Sequence, residues 1–195
     1  GKPQTNVHTC GLDHRSIATQ AGIPMTAKAA AHSMIDDIED ALDSATPEKR
    51  LDALWRITDL FIAGADTYAD DQISLFDDVI GKLVVTIETK ARAKLSNRLA
   101  PVARAPLNVV RTLAFDDDIA VARPVLAQSE RLDEDDLVAA TAQKGQPHLL
   151  AIAQRRALSE AVTDILVERG DREVVRSVAQ NTGARFSNAA FRTLV

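Results

Sequence analysis

Three residues near the start of the chain have the chemistry to hold a metal. His8, Cys10 and His14 form an H-x-C-x3-H cluster with Asp13 beside it, and all of these types bind zinc. A structural zinc site needs four ligands in a tetrahedron, and this spacing matches no established zinc pattern. A flexible lead-in over residues 1–23 without bound metal is the expectation. His32, in AAAHSMIDD, has the side chain of a phosphotransfer residue but no neighbouring Lys or Gly. A solvated or half-buried histidine accounts for it. His148 follows Pro147 at a helix start, where packing or capping explains it. No GxGxxG, Walker loop, GxSxG, HExxH or CxxC occurs. No cofactor is expected, and no catalytic constellation points to an enzyme.

The charged residues carry more information. Arg56 and Asp59 lie in WRITDLF, Asp77 and Asp78 in LFDDV, Asp116 to Asp118 in AFDDD, and Asp164 in AVTDIL. Arg111 and Arg176 sit at matching places in two similar apolar segments, and Thr58-Asp59 is echoed by Thr163-Asp164. These side chains either line a polar groove or tie neighbouring helices through bidentate Arg–carboxylate bonds, and the structural role is favoured. Arg56, Asp59, Asp77, Arg111, Asp116, Asp164 and Arg176 are therefore the candidates for an interaction surface or for pairs between repeats.

The elements that position them read as helices. From Asp70 to Ala103 the apolar residues Ile73, Phe76, Ile80, Leu83, Val84, Ile87, Ala91, Leu95 and Leu99 step mostly by three or four. One helix of about 30 residues is expected, about 45 Å long at about 1.5 Å per residue. Its first third is acidic. Its last part carries Lys82, Lys90, Arg92, Lys94 and Arg98, which reads as a basic docking strip or as a complement to the helix dipole, the latter preferred. Before it, Met34, Ile35, Ile38, Ala41 and Leu42 form one stripe. A further helix over Pro47–Ala63, capped by Thr46, has Trp55 as a core residue.

The second half is built of shorter helices. Val109-Val110-Arg111-Thr112-Leu113-Ala114 returns as Val174-Val175-Arg176-Ser177-Val178-Ala179, with a looser copy over His148 to Ala153. Each copy leads into a second apolar helix, around Ile119–Leu126, Leu158–Val167 and Ser187–Val195. An additional helix, Asp133–Gln143, lies between the first two pairs. Ala114, Ala153 and Ala179 set spacings of about 39 and about 26, too irregular for one repeat family. Pro124 should kink or restart its helix. Apolar Phe191, Leu194 and Val195 at the end lead to the expectation that the native protein continues.

Composition limits the alternatives. Hydrophobic residues at 46% and charged residues at 26% call for a packed core, and only 4% aromatics means a core of Leu, Ile, Val and Ala. The net charge of −5 argues against broad nucleic-acid binding. The single cysteine, Cys10, excludes an intrachain disulfide and fits a reducing cytoplasm. No apolar run approaches the ~20 residues of a membrane helix, and GKPQTNVHTCG has no apolar centre of a secretion signal.

The strings RLDALWRITDLFIAGADTYADDQISLFDDVIGKLVVTIETKARAKLSNRLAPVARAP, LAFDDDIAVARPVLAQSERL and LSEAVTDILVERGDREVVRSVAQNTGARFS resemble a bacterial domain-of-unknown-function family, numbered 2336. The resemblance runs from about Met34 to the end and supplies no catalytic residues. It implies a helical-repeat protein of the cytoplasm. The second half also resembles the HEAT-like and leucine-rich-variant repeat class, which generally binds proteins. The expected architecture is all-α: a lead-in over 1–23, a bundle around one long helix over 24–104, and a HEAT-like α-solenoid over 105–195, packed as one continuous domain. The expected function is a protein–protein interaction scaffold in a signalling or regulatory assembly, with an unidentified protein partner and neither nucleic acid nor membrane. The alternatives are a HEAT-like nucleic-acid-acting enzyme of glycosylase type and a phosphotransfer bundle using His32.

Overall fold

The computed structural model describes residues 46–194, with side chains described to Arg192. The His8–Cys10–His14 cluster, His32 and the Met34–Leu42 stripe lie outside the described residues. Among the described residues ten helices follow one another: α1 Pro47–Gly64, α2 Asp70–Val84, α3 Thr89–Leu99, α4 Leu107–Ala114 and α5 Ile119–Gln128, then α6 Glu134–Gln143, α7 Gln146–Ala153, α8 Glu160–Arg169, α9 Arg172–Gln180 and α10 Asn188–Leu194. The protein is all-α. Among the described residues the only β pairing is an isolated parallel bridge, Leu158 with Ala184.

The helices sort into two layers. In the odd layer α1 packs on α3, α3 on α5, α5 on α7 and α7 on α9. In the even layer α2 packs on α4, α6 on α8 and α8 on α10. Each helix presents one apolar face to the other layer, and the two faces close over Leu, Ile, Val and Ala. Phe61, Tyr68 and Phe76 meet at one end with centroids 5.1–6.2 Å apart, and Phe186 and Phe191 form a second pair at 5.2 Å near the last helix.

Local chemistry starts most helices. The Asp118, Asp133, Ser159 and Asp171 side chains accept backbone N–H bonds at the starts of α5, α6, α8 and α9. Pro47 and Pro147 occupy first-turn positions in α1 and α7, where a missing N–H costs nothing.

Three expectations are corrected. The single helix over Asp70–Ala103 is two, α2 and α3, separated at residues 85–88. Val84-Val85-Thr86-Ile87 is a run of β-branched residues, which disfavours helix. The Thr86 hydroxyl also donates to the Leu83 carbonyl at 2.8 Å, closing the chain into a turn. Ile87 is nonetheless buried, so the apolar stripe crosses the break without a gap and disguises it.

Pro124 does not restart its helix, because α5 runs through it. The carbonyl it leaves without a donor is that of Ala120, an exposed residue, so water can serve it.

The repeat is also more regular than the apolar motifs imply. The last even-layer helices start at Leu107, Glu134, Glu160 and Asn188, and the last odd-layer ones at Ile119, Gln146 and Arg172, so every step along either layer is nearly the same. The longer of the two motif spacings came from matching α4 of the even layer with α7 of the odd layer.

Polar ties repeat with nearly the same step. Arg131 Nε reaches Ala105 O at 2.9 Å, and Arg155 reaches Leu126 O and Ser129 O at 2.7 and 2.9 Å. Asn181 Nδ2 donates to Ala153 O and Arg155 O at 2.9 and 2.7 Å, and Arg169 reaches Thr141 O. Burial pulls the Arg155 guanidinium below its usual range. At Gly183 an added Cβ would lie 1.9 Å from Arg156 O, so only glycine lets the bridge segment come this close.

Candidate interaction surface

The seven sequence candidates divide by what they touch. Asp77 is buried on α2, and its two oxygens accept from Asn108 N and Val109 N, each at 2.9 Å. It caps α4 from another helix, because Pro106 at the α4 N-cap has no side-chain oxygen to do so. Arg111 donates to Asp136 at 2.7 and 3.0 Å and to Asp133 at 3.1 Å, bridging α4 to α6. The Asp136 hydrogen bond raises the Arg111 pKa above its usual range. Asp116 pairs with Arg92 at 2.7 Å, and its backbone carbonyl lies 2.9 Å from His148 Nε2. The connection between α4 and α5 is thereby held to both α3 and α7. Asp164 accepts from Ser187 Oγ at 2.7 Å, joining α8 to the start of α10.

These four residues have internal work. The Thr-Asp echo has a similar basis, since Thr58 and Thr163 are both fully buried while the Asp that follows each is not.

Arg56 and Arg176 are different. Both are exposed on odd-layer helices, and neither has an ion-pair partner among the described residues. Asp59 is brought to Arg98 on α3, beside Trp55. The indole is half-buried rather than a full core residue, with Lys94 Nζ 4.6 Å and the Arg98 guanidinium 5.9 Å from its centroid.

Charge separates the two layers. The odd-layer helices carry ten Lys and Arg against four Asp and Glu, and the even-layer helices carry ten Asp and Glu against four Lys and Arg. On the inner odd-layer helices α3, α5 and α7, the exposed charged residues are Lys90, Lys94 and Arg123, all basic.

Helix dipoles explain half of this. Asp70 and Asp71 open α2 and Lys82 closes it, as the dipole favours. In α3 the account holds for Arg98 in the last turn and fails at the first. Glu88 precedes the helix, but its first turn holds no acid and Lys90 stands there instead. A basic residue at that end opposes the dipole, so the α3 strip needs another reason. The boundary at Thr89 was the missing signal, since inside one long helix Lys90 looks like a residue of the C-terminal half.

A polar hollow of about 470 Å³ opens where α5, α6 and α7 meet, lined by Asp117, Lys144 and His148 among others. Lys144 Nζ lies 2.6 Å from Asp117 and holds that carboxyl below its usual range. Among the described residues no group of three or more His, Cys, Asp or Glu side chains is placed to hold a metal. No helix among them is long and apolar enough to cross a membrane.

Residues 121–195 match the model of a bacterial family described as "Uncharacterised protein conserved in bacteria (DUF2336)". The DUF2336 match starts within α5 and covers α6 to α10, including the ties made by Arg155, Arg169 and Asn181. The basic strip on α3 and the Trp55 corner lie outside it. No curated protein and no solved structure matches the chain.

Proposed function

We propose that this chain is a protein–protein interaction scaffold of the cytoplasm, a HEAT-like α-solenoid whose binding face is the outer side of the odd layer. The observation that carries the reading is the run of exposed basic residues on α3 and α5 without a neighbouring exposed acid on those helices. Charge of one sign along a face steers an oppositely charged partner and rejects a like-charged one. Lys90 sits there against its own helix dipole, as a residue kept for an external partner would. The cations around Trp55 are held over the ring, so less side-chain freedom is lost when a partner carboxylate arrives. Asp77, Arg111, Asp116 and Asp164 serve this role indirectly, by holding the helices in register.

The test is affinity capture with the chain as bait, at moderate salt, with wild type compared with K90E/K94E. An acidic protein retained by wild type and lost from the variant, with the helical circular-dichroism signal unchanged, is the expected result. Retention that survives the charge reversal rejects the odd layer as the binding face.

A further inference from the structure

The basic strip on α3 has a counterpart of opposite sign on the same molecule. Lys90, Lys94 and Arg98 stand at i, i+4 and i+8, so they form one ladder along α3 with steps of about 6 Å. Glu160, Asp164 and Glu168 stand at i, i+4 and i+8 on α8, a ladder with the same steps and opposite charge. Lys90, Lys94, Glu160 and Glu168 are exposed, and Arg98 and Asp164 are half-buried. Neither ladder is spent on the other, because α3 belongs to the odd layer and α8 to the even layer. Beside the acidic ladder lies Ala161, and beside the basic one Ala93, side chains small enough for two helices to approach.

Resting on the scaffold reading above, we infer that the partner of the α3 ladder is the α8 ladder of a second copy of this chain. Arg98 already pairs with Asp59 and Asp164 already accepts from Ser187 Oγ, so the contact rests on the exposed Lys90 and Lys94 meeting Glu160 and Glu168, with Arg98 and Asp164 sharing their present partners. The two surfaces differ and lie on opposite layers, so the contact is heterologous. A pair joined this way leaves one basic and one acidic ladder free, and assembly is head to tail rather than a closed two-fold pair. Exposed ion pairs are screened by salt, which makes the association strong only at low ionic strength.

Sedimentation of the 195-residue chain over a range of concentrations tests this, at about 10 mM and about 1 M salt, where the Debye length is about 30 and about 3 Å. The average mass is expected to rise above the monomer's 21.0 kDa with concentration at low salt, and to return to it at high salt. K90E/K94E alone and E160K/E168K alone should each stay monomeric, with unchanged circular dichroism. Mixing the two variants should restore association, since one then carries two acidic ladders and the other two basic ones. A wild-type chain that stays monomeric at low salt overturns the inference. So does association that persists in both single variants, or variants that remain monomeric when mixed. A monomeric chain that still captures an acidic protein through Lys90 and Lys94 overturns the second-copy contact alone and leaves the scaffold reading standing.

Discussion

The first three helices and the last six solve the same packing problem by different means. From α5 onward, successive turns of the stack are tied by side chains that reach backbone carbonyls one repeat earlier in the chain: Arg131 to Ala105, Arg155 to Leu126 and Ser129, and Asn181 to Ala153 and Arg155. At the start of the chain the ties follow no such step. Arg98 meets Asp59, Arg104 meets Asp70, and Asp77 caps α4. A periodic stack can reuse one kind of tie because every neighbour presents the same carbonyls. An irregular start needs one-off pairs, and most of these are exposed. The buried exception, Asp77, carries a correspondingly large share of the junction.

The contrast is broken most severely at Asp77. Asp77→Ala leaves two N–H groups at the start of α4 without their charged acceptor and should destabilise the fold by about 2–3 kcal/mol. Urea unfolding measures this. A loss well below the net worth of one ordinary hydrogen bond, about 1 kcal/mol, would mean that water replaces the cap and that the junction does not depend on it.

Arg155→Met tests the periodic side. It removes the donors to two carbonyls and also the cost of burying a guanidinium, so a smaller loss of about 1–2 kcal/mol is expected in the same experiment. An effect larger than that of Asp77→Ala would reverse the ranking of the two regions.

The smallest effect concerns Asp117. Its carboxyl titrates below the usual range in the folded chain because of Lys144. A folded pKa below the unfolded one means that the stabilisation is present above the unfolded value and is lost as pH falls through the folded value. Lys144→Met should therefore raise the Asp117 midpoint toward that of an ordinary aspartate, as followed by the carboxyl carbon shift in NMR titration. An unmoved midpoint would show that the pair does not form in solution.

Features written in adjacent residues could be read from the sequence. Thr46-Pro47-Glu48 starts α1 as expected, Asp133 caps α6, and Gly170-Asp171 separates α8 from α9. Features that depend on distant partners could not. Asp77 shares the apolar stripe with Ile73, Phe76, Ile80 and Val84, and that placement was its signal. Its acceptor role required knowing that α4 begins far along the chain, at Leu107, behind a proline that cannot cap it. The α2–α3 break was hidden because Ile87 keeps the apolar period through a non-helical turn. The repeat was misregistered because Val-Val-Arg strings look more alike than the caps do. The caps mark chain reversals and so carry the true period, while an apolar face of either layer can be built from the same residues. Of the candidate surface, the residue types were visible and their assignment to layers was not.

Alternation between layers has a consequence for how such a chain can lengthen. Since successive helices alternate between the two layers, the side on which a helix falls is a matter of parity. Duplication of a two-helix unit preserves parity and simply extends both surfaces. Gain or loss of a single helix would transpose every later helix, moving outward-facing cations to the acidic side and acids to the basic side. Viable length variants of this chain should therefore differ by even numbers of helices, in steps close to the one that separates the start of α6 from the start of α8.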